Sequence, residues 1–343
     1  MALSRKLPEC WGHRGASAAY PENSLASFEA AIRDGADGIE SDVHISLDDI
    51  VVMFHDPSLE RTTNGIGLIR QSRWYGPGGM EHLRTNKKPE QSIPTFAETV
   101  ELLMKPEYKH AKFNVDVKVW NDPVRLFTLM HKIISSHPGW ETLLAPRILL
   151  GLWHPAFLQP AKDILPYCRR SCISRDIDLA RKFFWDDVDV FSIHMGYLLT
   201  GAGERFRKDC QEHGKELMVW TVNDLDWMVE CVTWNVNVIL TDVPRVWYKL
   251  RSELQADYDK VIARHNRLCL WKSWQLYYPS RESWRRASVY DLQKAAGPFE
   301  AFPQSKTAPP PPRNLLRMGK LPIIVPCVAA LVAWGLYAAD ILD

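Results

Sequence analysis

The residues between His13 and Asp56 combine side-chain types that suit chemistry on a phosphoester. This segment reads HRGASAAYPENSLASFEAAIRDGADGIESDVHISLDDIVVMFHD. It opens on His13-Arg14-Gly15 and closes on His55-Asp56. An imidazole titrates near neutrality and can move protons, whereas a guanidinium offers a fixed fork of donors to phosphate oxygens. The segment therefore predicts an acid–base and phosphate-binding site.

Two acidic residues, Glu40 and Asp42, lie in the stretch GIESDVHI. Side chains two residues apart on a strand share one face, so we expect both carboxylates on the same side. Adjacent carboxylates repel each other unless a cation or a proton lies between them, and their oxygens suit Mg²⁺ or Ca²⁺ better than zinc. The pattern predicts one divalent cation. The competing interpretation is a solvated edge strand with two incidental acids.

A predicted hairpin returns His55 to the same end of the structure as Glu40. Asp48-Asp49 are expected to form its turn, and the apolar run Ile50–Phe54 its second strand. A single histidine is more often structural than catalytic. A histidine at a strand end that faces two carboxylates is a better candidate for a general acid or base.

The order of these short motifs resembles the glycerophosphodiester phosphodiesterase family. The resemblance rests on HRG, PEN, ExD and HD, and it extends over roughly residues 10–66 through RTTNG at Arg61–Gly65. This chain has Pro21-Glu22-Asn23-Ser24 where the family has PENT. The combined motif is specific, although each piece alone is weak. The resemblance implies a metal-dependent phosphoric diester hydrolase built on a TIM (β/α)8 barrel.

The remaining sequence supports this α/β architecture independently. Apolar, strand-like runs alternate with helical patterns such as Thr95–Met104 and Pro123–Ser135, which favours a parallel sheet with right-handed crossovers. Two strands lie in the motif segment. Six further strands are predicted at Lys112–Lys118, Ile148–Trp153, Cys168–Ser174, Val188–His194, Glu216–Val222 and Val236–Thr241.

The resemblance also implies a role for polar residues that follow the later strands. In FNVDVKV, Asp116 would be a third metal ligand and Lys118 would bind phosphate; the family pattern there is ExK, and Asp116 is one methylene shorter than Glu. The competing interpretation is an ordinary ion pair. Trp220 would line the substrate site or merely fill the barrel. Asp242, in a TDxP motif, is also a candidate N-cap for a helix near Pro244.

The resemblance implies a complete set of roles. They are His13 and His55 as the acid–base pair, Arg14 and Lys118 as phosphate ligands, Trp220 as a substrate-lining residue, and Glu40, Asp42 and Asp116 as ligands of one Mg²⁺ or Ca²⁺. His154 and His194 are expected to be lining or structural residues. In a small insertion between Pro57 and Ser92, Trp74, Tyr75 and Met80 either form an apolar lip for a lipid or pack on the barrel.

Four segments are predicted along the chain: a barrel over 1–256, a basic aromatic extension over 257–297, a Pro-rich basic linker over 298–320 and a hydrophobic tail helix over 321–339. From Tyr258 to Lys320 the chain carries 12 Lys and Arg residues against four Asp and Glu residues. Mixed aromatic and basic residues suit either a membrane surface or a last helix packed on the barrel.

The segment Leu321–Ala339 contains no formally charged residue and would span about 28 Å as a helix. It predicts a C-terminal membrane anchor with the barrel facing the cytosol, at the endoplasmic reticulum, a lipid droplet or a mitochondrial membrane. Pro322 and Pro326 weaken its first turn, so a re-entrant segment is an alternative, and a buried helix is another.

The net charge of +1 and the seven scattered cysteines give no sign of a nucleic-acid interface, a zinc site or a disulfide framework. An anchored barrel of this kind resembles the fungal phosphatidylglycerol phospholipase C branch. That resemblance implies cleavage of phosphatidylglycerol to diacylglycerol and glycerol 3-phosphate. The alternatives are hydrolysis of soluble glycerophosphodiesters or lysophospholipids, and a non-catalytic lipid-binding protein.

Overall fold

Eight parallel strands form a closed barrel in the computed structural model, which describes residues 6–265 and 280–310. The barrel closes because β1 pairs with both β2 and β9. The short strand β3 lies outside the barrel and pairs antiparallel with β2. The strands are β1 Glu9–His13, β2 Gly38–Ile45, β3 Val51–Met53, β4 Lys112–Val117, β5 Ile148–Leu152, β6 Arg169–Ser174, β7 Val190–His194, β8 Glu216–Trp220 and β9 Val238–Thr241.

Helices follow the strands and cover the outside of the barrel. They are α1 Leu25–Arg33, α2 Phe96–Met104, α3 Pro123–Ser135, α4 Trp140–Leu143, α5 Leu158–Ile164, α6 Ile177–Phe184, α7 Met195–Leu198, α8 Gly201–Glu212, α9 Leu225–Thr233, α10 Pro244–Ala256, α11 Tyr258–Arg264 and α12 Ser280–Ala296. Side-chain caps begin several of them; Ser24 accepts from the Ser27 amide at the start of α1, and Thr95 caps α2. The predicted TIM barrel is confirmed.

Apolar side chains fill both faces of the parallel sheet, as is usual when helices cover its outer side. One cluster lies inside the barrel and includes Trp11, Leu149, Met218 and Trp220. A larger cluster lies between the strands and the surrounding helices. Because apolar side chains fill both faces of the sheet, the polar residues that follow the strands lie at the carboxyl ends of the barrel. Folds of this kind have their active sites at that end.

The insertion between β3 and α2 packs on itself and on the hairpin. Trp74 and Met80 are buried in a small cluster with Val52 and Phe54, while Tyr75 is exposed. Asp48 of the hairpin turn accepts hydrogen bonds from the amides of Trp74 and Tyr75. Of the two interpretations of Trp74, Tyr75 and Met80, packing is therefore the one observed, because two of the three side chains contribute to a core.

The C-terminal extension, as far as it is described, packs on the barrel. Arg285 of α12 forms an ion pair with Asp176, the N-cap of α6. Beyond α12, Phe299 is fully buried against His154, with ring centroids 4.4 Å apart. The Ser305 amide then donates to the Lys182 carbonyl at 2.7 Å. We call residues 297–308 the C-terminal strap, because they hold the end of α12 against the barrel.

The predicted membrane localisation is corrected. Within residues 6–265 and 280–310, no helix is long and apolar enough to cross a bilayer. The last helix described, α12, has the sequence SRESWRRASVYDLQKAA, which is rich in charged and polar residues. The anchor was inferred from the apolar run 321–339 and its basic flank, and that segment lies outside the described residues. The boundaries of the four predicted segments remain predictions.

Candidate active site

The predicted site residues meet at the carboxyl ends of the strands. A cavity of about 230 Å³ is lined by seven of the eight: His13, Arg14, Glu40, His55, Asp116, Lys118 and Trp220. Asp42 lies directly behind this lining, buried against Lys118 and Arg14. These residues come from β1, β2, β4, β8 and the loops that follow β1, β3 and β4. The barrel therefore brings together residues that are up to 207 positions apart in the sequence.

Three carboxylates form a buried cluster at the base of this cavity. Asp42 of β2 is paired in register with Asp116 of β4, and Glu40 precedes Asp42 by two residues on the same face. One oxygen of each side chain lies within 4.8 Å of the others, and all three residues are buried. Burial raises the pKa of Glu40 well above its usual value, and the charges of Asp42 and Asp116 raise it further.

The donor set fits a hard divalent cation. Three oxygen donors converge, and burial together with the charges of Asp42 and Asp116 disfavours the ionised form of Glu40 unless a further positive charge is present. Asp116 is close enough to belong to the set despite its shorter side chain. Such a buried acidic cluster could hold one divalent metal ion, in agreement with the predicted metal dependence.

Lys118 lies between two of these carboxylates. Its Nζ is 2.6 Å from Asp42 Oδ1 and 2.8 Å from Asp116 Oδ2. Burial alone would lower the pKa of Lys118, but Asp116 and Asp42 outweigh it and raise the pKa. Trp153 Nε1 donates to the other oxygen of Asp116 at 2.7 Å. The ion pair considered for Asp116 and Lys118 is thus present, and it belongs to a larger cluster that includes Asp42.

The turn after β1 brings Arg14 against the same cluster. Arg14 has a φ of 55° and Gly15 a φ of 80°. A Cβ at Gly15 would lie 2.4 Å from Ser27 Oγ, so only glycine fits this turn. The Arg14 amide donates to Glu40 Oε2 at 2.9 Å, while Arg14 Nη1 donates to Glu22 at 2.9 Å. Glu22, from the PEN motif, thus holds the guanidinium in the cavity wall.

His13 is held by a carboxylate that lies 229 positions later in the sequence. Its Nδ1 lies 2.7 Å from Asp242 Oδ1, and Asp242 also accepts hydrogen bonds from Ser17 and Asn223. Burial would raise the pKa of Asp242, but these hydrogen bonds outweigh it and lower the pKa to about 2. Asp242 is not the N-cap of α10, whose cap residue is Val243. Its observed partner is the imidazole.

His55 has a similar arrangement with its neighbour in the sequence. Its Nδ1 lies 2.6 Å from Asp56 Oδ1, and Arg61 pairs with the same carboxylate. Burial lowers the pKa of His55, and the nearby Lys118 ammonium lowers it further. Each of the two histidines therefore has one ring nitrogen held by an ionised carboxylate, which leaves the other nitrogen available for proton transfer.

Comparison with known proteins agrees with this geometry. Residues 13–246 match the model of the glycerophosphoryl diester phosphodiesterase family. The chain belongs to this family. A glycerophosphodiester phosphodiesterase from Bacillus altitudinis is 24 % identical over 253 residues, which cover 73 % of this chain and 100 % of that protein. The predicted enzyme class, a phosphoric diester hydrolase acting on glycerophosphodiesters, is confirmed.

Solved structures show the same barrel. A phosphodiesterase from Oleispira antarctica, solved with its product sn-glycerol-3-phosphate, is 25 % identical with a TM-score of 0.58 and covers 72 % of this chain and 96 % of its own. A glycerophosphodiester phosphodiesterase from Agrobacterium tumefaciens is 22 % identical with a TM-score of 0.57, over 71 % of this chain and 100 % of its own. The second likeness supports the fold alone.

Arg175 also lines the catalytic cavity, although no motif in the sequence marks it as a site residue. It follows β6 and lies over the Trp220 ring, 5.4 Å from its centroid. Burial lowers the pKa of Arg175, and the nearby Tyr197 and Asp116 oppose this decrease. Its place directly after a barrel strand was the available signal. His194 also lines the cavity, whereas His154 is fully buried under the C-terminal strap.

We predict that Asp242→Asn lowers kcat about 10- to 100-fold without weakening metal binding. The carboxylate orients His13 and stabilises its protonated form, but it lies outside the acidic cluster. Steady-state kinetics and metal titration calorimetry would measure both effects. Asp224→Asn is the control, since Asp224 caps α9 at an exposed position. A matching loss of metal affinity in Asp242→Asn would contradict the separation of the two roles.

We predict that Glu40→Gln weakens binding of Mg²⁺ or Ca²⁺ and lowers activity in parallel. The substitution keeps the side-chain size but removes one charge from a cluster whose repulsion the metal relieves. We expect at least a ten-fold loss of affinity by calorimetry. Glu9→Gln, at the opposite end of the barrel, is the control. Unchanged affinity in Glu40→Gln would remove Glu40 from the metal site.

Proposed function

We propose that this protein cleaves the phosphodiester bond of glycerophosphodiesters to give glycerol 3-phosphate and an alcohol. One observation carries the proposal: two histidines, each held by a carboxylate, line the same cavity as Arg14, Lys118 and two carboxylates of the buried acidic cluster. Hydrolysis of a phosphodiester needs proton transfer at two oxygens and stabilisation of negative charge on the others. This cavity supplies groups for both tasks.

The metal would be Mg²⁺ or Ca²⁺, held by Glu40, Asp42 and Asp116. When bound, it supplies positive charge that polarises the phosphoryl group. The protein's own cations act beside it. Arg14 is fixed by Glu22 and by the strained turn after β1, so its fork is oriented before substrate arrives. Arg14 and Lys118 bind the non-bridging phosphate oxygens and stabilise their charge.

His13 and His55 move the protons of the reaction. One accepts the proton of the substrate's attacking glycerol hydroxyl, and the other donates a proton to the departing alkoxide, so that the alcohol leaves neutral and a cyclic phosphate remains. Water then opens the cyclic phosphate to glycerol 3-phosphate, with the two proton transfers reversed. Asp242 and Asp56 hold the two Nδ1 atoms and thus present both Nε2 atoms for these transfers. Trp220 forms one wall of the cavity, fixed by a hydrogen bond from its Nε1 to the Ser192 carbonyl.

The more specific substrate that we propose is phosphatidylglycerol, which would give diacylglycerol and glycerol 3-phosphate. Its support is an apolar surface beside the cavity, described in the next subsection. The resemblance to the fungal phospholipase C branch depends on the apolar run 321–339, which lies outside the described residues. Soluble glycerophosphodiesters and lysophospholipids undergo the same reaction and are the alternatives. A non-catalytic lipid-binding role is disfavoured by the complete set of acid–base and phosphate-binding groups.

The test is product analysis with purified protein. We expect glycerol 3-phosphate from glycerophosphoglycerol and diacylglycerol from phosphatidylglycerol, each lost with EDTA and restored by Mg²⁺ or Ca²⁺. His13→Ala and His55→Ala should each lose at least 100-fold in kcat, because each removes one of two proton transfers. His131→Ala, on the outer helix α3, is the control. Near-normal rates in either variant would remove that histidine from the mechanism.

We predict a bell-shaped pH profile of kcat/KM whose lower limb lies below pH 6.5. Burial and Lys118 lower the pKa of His55 from its usual value of 6.5, so kcat/KM should rise with pH through that lowered pKa before it falls on the alkaline limb. A reaction that needs one protonated group and one deprotonated group has the same bell-shaped pH profile whichever of the two groups donates the proton. The lower limb therefore reports His55 in either role.

Asp56→Asn sharpens this prediction. The Asp56 carboxylate raises the pKa of His55, so its loss should move the lower limb further toward acid. Asp242→Asn, which acts on His13, should leave the lower limb in place. A lower limb above pH 6.5, or one that moves toward alkaline pH in Asp56→Asn, would show that another group governs it.

A further inference from the structure

A second cavity, of about 360 Å³, opens beside the catalytic one. We call it the apolar groove. Its inner end is shared with the catalytic cavity through His55, Lys118, Trp153 and Arg175. One of its walls comes from the loops after β3 and β4 and contains Pro57, Val119 and Trp120, and the other comes from α12. The groove therefore begins at the phosphate-binding residues and leads away from them.

The wall from α12 is one continuous helix face. Its lining residues follow the spacing i, i+3, i+4, i+7 and i+8, namely Trp284, Ala287, Ser288, Asp291 and Leu292. The adjoining face of α12, with Arg285 and Val289, is turned to the barrel. Because the ion pair of Arg285 and the C-terminal strap hold the helix in place, the wall is part of the folded barrel unit.

Two indole rings remain exposed in this groove, one on each wall. Trp120 is 41 % exposed and Trp284 is 51 % exposed. Trp120 stacks on His44, whose Nε2 lies 3.2 Å from the His55 carbonyl oxygen, so this indole is placed beside the reacting groups. Two large exposed rings that face one groove next to a catalytic centre favour an apolar ligand, since single scattered apolar residues would not converge in this way.

The charges along the groove disfavour a cationic ligand. Arg175 and Lys118 place two cationic groups at the inner end of the groove, where they would repel a cationic ligand, although Asp116 lies near both. Asp56 is already paired with His55 and Arg61. Asp291, on α12, is the one other acidic residue in the described lining. An uncharged apolar group satisfies these surroundings better than a quaternary ammonium.

We propose that the apolar groove is the leaving-group subsite and that it binds the acyl-bearing part of the departing alcohol, with Trp284 and Trp120 as specificity-determining residues. This inference rests on the proposed function, because it assumes that a glycerophosphodiester occupies the catalytic cavity. The glycerol phosphate then lies against Trp220, and the acylated alcohol lies between α12 and the loop after β4. The shared residue His55 is thereby placed beside the leaving oxygen.

The test compares soluble, monomeric diesters that differ only in their apolar part. Glycerophosphoglycerol and its mono-octanoyl ester, both below micellar concentration, give a ratio of kcat/KM that isolates the acyl chain. In the wild-type protein we expect the octanoyl ester to be favoured by at least ten-fold, since its methylene groups would be buried against the groove. Working with monomers removes any effect of a lipid surface.

Substitutions of Trp284 test whether the groove causes the preference for the octanoyl ester. Trp284→Ala should lower this ratio about ten-fold, and Trp284→Phe should keep most of it. Tyr290→Ala is the matched control, because Tyr290 is an exposed aromatic residue of the same helix that lies outside the groove lining. A wild-type ratio near one, or equal losses in Trp284→Ala and Tyr290→Ala, would overturn the proposal.

Two further outcomes are distinguished by design. If Trp284→Ala selectively lowers kcat/KM for glycerophosphocholine, the indoles bind an ammonium group and the acyl assignment is overturned. If no diester is hydrolysed, the proposed function fails. The groove is then judged by calorimetry on His13→Ala protein, where tighter binding of the octanoyl ester than of glycerophosphoglycerol supports it and equal binding overturns it.

Discussion

The top of this barrel is organised by a deficit of positive charge around three buried carboxylates. Burying ionised groups is costly unless they are paired. Lys118 pairs with Asp42 and Asp116, and Arg14 divides its donors between this cluster and Glu22. Glu40 accepts a hydrogen bond from the Arg14 amide, and its pKa is raised by burial and by its acidic neighbours. Glu40, Asp42 and Asp116 could hold a divalent cation, which would supply the positive charge that Lys118 and Arg14 do not provide.

Carboxylates outside this cluster have a different task, which follows from their surroundings. Asp242 accepts hydrogen bonds from His13, Ser17 and Asn223, and its pKa falls to about 2. Asp56 accepts from Arg61 and lies against His55, which likewise lowers its pKa. Both remain ionised over the whole range in which imidazole titrates. The same chemical group thus serves as a proposed metal ligand where acids crowd together and as an imidazole anchor where donors surround it.

The sequence was sufficient for the barrel and for the cluster, because the chemistry lies in short segments with strict spacing. Glu40 and Asp42 share a strand face by alternation alone, and the return of His55 follows from one hairpin. The partners of these residues were harder to predict. Asp242 reaches His13 only because β9 closes against β1, and Arg175 enters the cavity from a loop after β6 that carries no motif. Such contacts depend on barrel closure, which no local pattern encodes.

The C-terminal extension shows how one composition supports two physical explanations. Interleaved tryptophan and arginine suit a headgroup region, and that similarity led to the membrane interpretation. In the described part of this extension, Arg285 instead pairs with the capping residue Asp176 and Trp284 faces the groove beside the catalytic cavity. Cleavage of a lipid diester requires apolar contact near the reacting phosphate. The α12 wall of the groove, fixed to the barrel through Arg285, could provide that contact to a single substrate molecule, so the proposed lipid specificity would not require an anchor.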